Sequence, residues 1–423
     1  LAAPVLTQLA YDPGIACSAV AAPTGNATVR ITEAMQAHGV PIKATTIHQL
    51  LQIGRNGHDG KGWGFQHDQA NPLPYRFVVI DEASMLDTAL LASVVRALAP
   101  GSHLLLVGDT SQLLPIGVGA PLRDLQAASI PTAELTEIQR NSGRIVKACQ
   151  QIKAGRRFEV SPARDDHAGE NLLWKECATT EAQLAMLRSI LESPQATSKI
   201  DRIWDIQVIT QRNSTEGIGR TDLNKFLQNL LNPKRDDQAP QQVGEFRRGD
   251  KIVCRKNHTW EEQEILDGRE PAQVDSYDVG HDGRGGKKSC YLANGDLGQV
   301  IAVDPAKRKI VVRFRWPDRI VKIQIGKRAE KWTEDKEGRA DDFESGFALT
   351  VHLMQGSEAP WLIFMVDPAA GLVGCRESVY TAISRAKSLC VCIGQRAVAD
   401  RQCAVVTLPK RKTFLKELLL EGK

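Results

Sequence analysis

Along the first third of the chain, short apolar runs alternate with stretches whose apolar residues recur at helical spacing. LAAPVLTQLA, residues 1 to 10, has that helical spacing. IACSAVAAP is a strand of small apolar residues ending in a Pro-Thr-Gly turn, and TVRITEAMQAHG predicts a helix closed by Gly39. RFVVIDEAS is a second buried strand, LDTALLASVVRALAPG a helix ended by Pro100 and Gly101, and HLLLVGD a third strand. Strands and helices in this order predict an α/β fold, a parallel sheet with helices on both faces and ligands at the carboxyl ends of the strands. The polar turns PTG, DEAS and GDTSQ all fall at those ends.

The segment QIGRNGHDGKGWGFQHDQANPLPY, residues 52 to 75, breaks the alternation. Its five glycines and two prolines predict a projecting loop or hairpin. A second α/β region begins near residue 140 and includes the strand WDIQVITQ. Residues 251 to 345 read differently: KIVCRKN, GQVIAVD, KIVVRFRW and RIVKIQI are short β-rich runs separated by Asp, Gly and Pro turns, which predicts a small barrel inserted into the second α/β region. Alternation resumes after about residue 346, with WLIFMVD and SLCVCIG as buried strands.

Length and composition narrow the class. A chain of 423 residues exceeds one ordinary core, and 42% hydrophobic with 25% charged residues describes a globular protein. A net charge of +4 permits a nucleic-acid partner without requiring one. The nine cysteines are scattered and show no paired Cys-x-x-Cys, so the spacing predicts free thiols in a reducing cytoplasm and no zinc site. No apolar run approaches the roughly 18 residues a membrane span needs. The first residues lack a basic leader, which argues against a signal peptide.

The candidate chemistry sits where strands end. In VVIDEASMLD, residues 78 to 87, Asp81 and Glu82 stand side by side after a buried run. Two such carboxylates serve phosphate chemistry if one holds Mg²⁺ and the other aligns a water; equally, Asp81 to Ser84 can cap the next helix. LLLVGDTSQLLP adds Asp109 at a second strand end and Gln112 three residues later. These two strand ends, in this order and one βα unit apart, are much rarer than either alone.

At this point the sequence resembles a superfamily 1 helicase, with DEAS as motif II and GDTSQLLP as motif III. AAPTGNA, residues 21 to 27, resembles motif Ia, and ATTIHQLL, residues 44 to 51, the segment that follows it in the RecD family. LTEIQRNSGRIVKACQQIKAG resembles motif IV, with Arg140 as the motif arginine. TDLNKFLQNLLNP, RRGDKIVCRKN and NGDLGQV are RecD-like; LTVHLMQGSE, residues 349 to 358, resembles motif V, and YTAISRAK, residues 380 to 387, motif VI. Only residues 258 to 290 and 326 to 345 stay unmatched. The ordered set points to the RecD-like 5′→3′ DNA helicases of superfamily 1B.

The resemblance implies two RecA-like parallel-sheet domains of the P-loop NTPase type with an inserted β-barrel: 1 to 139 as the first motor domain, with a hairpin at about 52 to 76; 140 to 250 and 346 to 423 as the second; 251 to 345 as the insert. It implies ATP and Mg²⁺ as cofactors, Asp81 on the metal, Glu82 orienting the hydrolytic water, Gln112 sensing the γ-phosphate, and Arg140 and Arg385 reaching over from the second domain. Asp109, Gly356 and Glu358 line the nucleotide, Glu358 near the ribose. Pro23, Thr24, Thr46, His48, Thr350, His352 and Gln355 follow single-stranded DNA, and Trp63 and Phe65 stack on a base or block a duplex at a single-strand/double-strand junction.

Three departures stand out. No Walker A loop, G-x-x-x-x-G-K-[ST], occurs; GRNGHDGKG at 54 to 62 has the wrong spacing, and the expectation is that the chain begins just after that loop. Asn26 and Leu353 replace the basic residues usual in motifs Ia and V, removing two phosphate contacts. Two other readings are a helicase-derived DNA-binding fragment without ATPase, and the helicase part of a conjugative relaxase or a recombination nuclease.

Overall fold

The computed structural model describes residues 17–55, 63–128, 130–135, 143–194, 196, 200–234, 242–256, 258–261, 289–315, 318–325, 342–407 and 413–421. The first sheet is four-stranded and wholly parallel. It contains β1 (Ser18–Ala22), β2 (Thr45–Thr46), β5 (Phe77–Ile80) and β6 (His103–Leu106), in the order β2-β1-β5-β6. Side chains of a strand alternate between faces, and here both faces are covered. Ala19, Ala21, Val78 and Ile80 enter one core with Leu51, Leu91 and Val94; Val20 and Val79 enter another with Met35 and Val40. That is why these strands read as unbroken apolar runs.

Between β1 and β2 lies α1 (Gly25–Ala37), capped by the Thr24 hydroxyl, which accepts from the Ala27 N–H at 3.4 Å. Gly39, at φ +73°, ends it in the left-handed conformation that glycine adopts without strain. After the one-turn α2 (Ile47–Leu50), strands β3 (Ile53–Arg55) and β4 (Trp63–Phe65) pair as an antiparallel hairpin. Gln66 N–H returns to the Leu51 and Gln52 carbonyls, Leu73 is buried in the first core, and its N–H donates to Ala97 O at 2.7 Å. Leu73 therefore brings this segment back to the first core, after the exposed residues 68 to 72. Helix α3 (Thr88–Ala97) is capped by Asp87, whose Oδ1 accepts from the Leu90 N–H at 2.8 Å. The cap of this helix is thus Asp87 and not Asp81 to Ser84.

Helices α4 (Pro121–Ala127) and α5 (Gly143–Lys153) lead to a second parallel sheet. Its strands are β7 (Leu172–Lys175), which precedes α6 (Thr180–Leu191), and β8 (Ile206–Thr210), which precedes α7 (Arg220–Leu231). There the chain departs for an antiparallel region before returning. It passes through β9 (Gln242–Val243), β10 (Phe246–Arg247), β11 (Lys251–Cys254), β12 (His258–Glu261), β13 (Ser289–Leu292), β14 (Leu297–Asp304), β15 (Lys309–Arg315), β16 (Asp318–Gln324) and β17 (Phe343–Ser345). It rejoins the second sheet as β18 (Ala348–Thr350) and β19 (Ala359–Met365), then α8 (Arg376–Ser384), β20 (Ala386–Ile393), α9 (Arg396–Ala404) and α10 (Leu415–Glu421). The order is β18-β8-β19-β20-β7, and β18 pairs directly with β8, so the excursion closes on itself.

The excursion carries its own core of Ile252, Val300, Val312, Phe314, Ile323 and Phe343. Among the described residues its main sheet runs β16-β15-β14-β11-β17 and is antiparallel throughout. It is tied down by polar groups. Asn224 of α7 accepts from Ala348 N–H and Ser345 Oγ at 2.9 and 3.0 Å, and the buried Lys251 ammonium donates to Ile206 O at 3.2 Å. Burial lowers that lysine's pKa to about 7. Among the described residues no helix is long and apolar enough to cross a membrane.

Leu73 supplies a check on where the hairpin ends. Leu73→Ala should cost about 2–5 kcal/mol of stability, as for a buried leucine in a packed core. Ala70→Ser, on the exposed turn beside it, should stay within about 0.5 kcal/mol of the parent. Urea unfolding of the two variants compares them directly, and a Leu73→Ala cost below that of an exposed site would place residue 73 in the projection after all.

Candidate active site

Strand β5 delivers Asp81 to its carboxyl end, where the Asp81 N–H still bonds to Ala21 O of β1 at 2.9 Å. The next residue leaves the strand abruptly. Glu82 has φ +50° and ψ +37°, left-handed backbone that costs a non-glycine residue about 1–3 kcal/mol. Its N–H is taken by Asp81 Oδ1 at 2.7 Å, its carbonyl by Met85 N–H at 3.0 Å, and Ala83 N–H bonds to Val107 O at 2.8 Å. The surrounding bonds hold Glu82 in a conformation it would not choose alone. Gly108 makes the arrangement possible: a Cβ there would lie 2.9 Å from the Ser84 nitrogen and 3.1 Å from the Ala83 nitrogen. Only a residue without a side chain lets the two loops approach this closely.

The opposite wall comes from the second sheet. Arg385 follows the last turn of α8, and its side chain is 2% exposed. Its Nη1 lies 3.8 Å from Glu82 Oε1, and its Nη2 donates to Gln112 Oε1. Two further α8 residues reach the same loop. Thr381 Oγ1 accepts from the Leu113 N–H at 2.9 Å, and the Tyr380 hydroxyl donates to Asp109 Oδ2 at 2.6 Å. Glu82, Gln112 and Arg385, picked from sequence, thus meet between the two sheets, with Asp81 beside Glu82 at the end of β5 and Asp109 on the loop that carries Gln112. Arg140 lies outside the described residues.

A second crossing joins the segments expected to follow DNA. Gly356, at φ +73°, sits so near Thr24 that a Cβ would lie 3.1 Å from its hydroxyl, and Asn26 Nδ2 donates to Ser357 Oγ at 3.0 Å. Asn26 is therefore a bridge between the two sheets, which its reading as a lost phosphate contact had not anticipated. Glu358 pairs with Arg30 of α1 at 3.2 Å and with Lys387 of β20.

The remaining sequence candidates divide. Pro23 and Thr24 lie half-buried at the end of β1, and His48 is exposed. The Phe65 ring is 5.8 Å from that of His48 at a tilt of 53°. Trp63 faces Arg55 across the hairpin register, and its side chain lies outside the described residues. His352 is half-buried, and burial depresses its pKa, favouring the neutral imidazole. Three candidates are buried and hydrogen-bonded within the protein. Thr46 is fully buried and forms a reciprocal capping box with Gln49, so its hydroxyl is committed to α2. Thr350 is buried and accepts from the Leu353 N–H at 3.2 Å. Gln355 is buried and donates to Leu113 O at 3.3 Å, fastening the sheets together instead of facing solvent.

Sequence reasoning missed Tyr380, Thr381, Lys153, Arg30 and Lys387. Thr381 and Arg385 stand four apart on one helix, so a helical reading of YTAISRAK would have set both on one face. Nothing comparable in the sequence marks Lys153 or Arg30, whose partners are remote in the chain.

Comparison with known proteins agrees with the motif reading. The profile of the AAA domain family matches residues 5–168. The chain is 30% identical over 368 residues to the ATP-dependent RecD2 DNA helicase of Deinococcus radiodurans, covering 86% of this chain and 41% of that protein. It is 28% identical over 415 residues to the RecBCD enzyme subunit RecD of Mycolicibacterium smegmatis, covering 95% of this chain and 66% of that one. The chain thus spans less than two thirds of the length of either relative. Among solved structures, it is similar to the Pif1 helicase from Bacteroides in complex with ADP-AlF3 and single-stranded DNA, at 17% identity and a TM-score of 0.48 over 99% of this chain and 89% of that one.

The close approach at Gly108 is testable by itself. Gly108→Ala should cost about 1–3 kcal/mol, because the new methyl meets backbone that cannot rotate away. Thermal and urea unfolding measure it, and a loss under about 0.5 kcal/mol would mean that the two loops separate freely.

Proposed function

We propose, from the similarity to RecD-type helicases over most of the chain, that these residues form the motor of an ATP-dependent DNA helicase. The carrying observation is Arg385, a buried guanidinium from the second sheet in contact with Gln112 and within 4 Å of Glu82 on the first. A cation delivered from one sheet to carboxylate and amide groups at the strand ends of the other suits a reaction that develops negative charge between them. In this reading residues 1–139 are the first motor domain with its hairpin at 52–76, 140–250 and 346–423 the second, and 251–345 the insert.

Asp81 would hold the Mg²⁺ that accompanies ATP. One strand-end carboxylate suits that ion, which keeps waters and takes phosphate oxygens as further ligands. Bound there, Mg²⁺ supplies neutralisation of phosphate charge. Glu82 accepts a hydrogen bond from the attacking water and aligns it. Arg385 offsets charge on the terminal phosphate, its planar fork suited to two oxygens at once. Gln112, bonded to Arg385, reports the state of that phosphate to the loop that carries it; Arg140 is a second cation, and Glu358 flanks the ribose beside Gly356. Alternating closure of the cleft moves the two domains along single-stranded DNA 5′→3′, over a path that includes Pro23, Thr24, His48 and His352. Partners are single strands and junctions, with recombination-nuclease subunits in a repair setting.

In the full-length gene product, Glu82→Gln should abolish single-strand-stimulated ATP turnover while leaving nucleotide binding within a few-fold. Arg385→Ala should depress turnover by ~10³-fold. Steady-state ATPase rates with a fluorescent-nucleotide titration read both, and near-parental turnover in either variant would show the site to be misassigned.

The hairpin is the proposed strand separator. Since Leu73 anchors the later part of the segment in the first core, the part to exchange is 54 to 64. Replacing it with a Gly-Ser turn should spare single-strand-stimulated ATPase and cut duplex unwinding severely. Survival of both activities would remove the separating role, and loss of both would make the hairpin a folding element.

A further inference from the structure

Asp109 is bonded on both oxygens. Oδ1 accepts from the Ser111 N–H at 2.9 Å and lies 3.6 Å from Lys153 Nζ; Oδ2 accepts from the Tyr380 hydroxyl at 2.6 Å. The Asp109 carbonyl accepts from the Gln112 N–H at 3.1 Å, so Asp109 anchors the whole turn that carries Gln112. Tyr380 is itself fixed: it is 6% exposed, with Lys153 Nζ 5.7 Å from its ring centroid. Helix α8 therefore grips three residues of one short loop, Asp109 through Tyr380, Gln112 through Arg385 and Leu113 through Thr381. Only Arg385 of the three belongs to the phosphate chemistry proposed above.

We propose that Tyr380 is a positioning residue, whose hydroxyl holds Asp109 and thereby sets the 109–113 loop so that Gln112 meets Arg385. This rests on the reading of the cleft as the site of ATP hydrolysis. A tyrosine suits the task because its ring packs while its hydroxyl extends to a distant acceptor. Burial and the neighbouring carboxylate both raise its pKa, so the group stays a neutral donor across the physiological range. A misplaced loop leaves nucleotide contacts intact but separates groups that must act together, so the loss falls on turnover and not on binding.

The test uses the full-length gene product with Tyr380→Phe, Asp109→Ala and the double variant. Tyr380→Phe keeps the ring and removes only the hydrogen bond. Tyr380→Phe should lower kcat for single-strand-stimulated ATP hydrolysis by about tenfold with KM for ATP within about twofold, the signature of an interaction felt only in turnover, and Asp109→Ala should lower kcat at least as far. The double variant should be no worse than the poorer single one, since both remove the same contact. Backbone amide exchange at Gln112 and Leu113 should quicken by about tenfold in Tyr380→Phe, with global unfolding unchanged. Unchanged kcat with unchanged exchange overturns the proposal, as does a rise in KM at constant kcat or full additivity in the double variant. Full turnover by Glu82→Gln would instead refute the assignment of the cleft, and amide exchange alone would then decide whether Tyr380 holds the loop.

Discussion

Leu113 belongs by chain to the first sheet and by packing to the second. It follows β6, yet it is buried in the cluster formed by Ile145, Val379, Ala382 and Phe364. Its N–H goes to Thr381 and its carbonyl takes the Gln355 amide, so the backbone on both sides is satisfied within the foreign core. Burying one leucine is worth about 1.5–3 kcal/mol, and a buried peptide group left without partners would cost a comparable amount. The two sheets therefore meet through a hydrophobic knob with its polar groups matched. That knob ends the loop bearing Asp109 and Gln112, so docking the sheets and placing the site residues are one event.

The same economy governs the other side of the cleft. Glu82 is held at positive φ by bonds that belong to the sheet, to the β6 strand end and to its own one-turn helix. Backbone strain of this kind survives only where neighbours over-determine it. Here the neighbours are Val107 and Gly108, immediately before Asp109. The acidic strand end and the start of the glutamine loop thus support one another within the first sheet, while Tyr380, Thr381 and Arg385 hold the rest of that loop from the second.

What was legible in the sequence follows from what periodicity can report. Strands covered on both faces read as apolar runs, so β1, β5, β8, β19 and β20 were plain, and the polar turns at their ends located Asp81, Glu82, Asp109 and Gln112 correctly at the carboxyl rim. The antiparallel excursion was legible for a related reason, its short runs being spaced by turn residues. Roles fixed by remote hydrogen bonds were not legible. Thr46, Thr350 and Gln355 look like surface polar groups in one dimension; burial turned them into a cap, a turn lock and a clasp. The return of that segment to the first core was not legible, because Leu73 between its prolines carries no periodic signal, although one buried leucine with a paired N–H suffices to bring the chain home.

Contacts across the cleft fall into two strengths, and their distribution bears on motion. At the rim, Arg30 with Glu358 and Lys153 with Asp109 are ion pairs whose basic side chains are 40% and 37% exposed. Such pairs are worth about 0–1 kcal/mol each and weaken with salt. Deeper in, Leu113 and Arg385 are buried, and a guanidinium at that depth is costly to leave without compensating groups. Opening the cleft would expose Leu113 and part Arg385 from Glu82 and Gln112, while the rim pairs would rehydrate at little cost. The hold between the two sheets thus rests on a few central contacts, on the loop and helix that meet at the proposed phosphate site. A molecule bound there acts directly on the groups that decide how the two sheets sit, and needs no separate relay to do so.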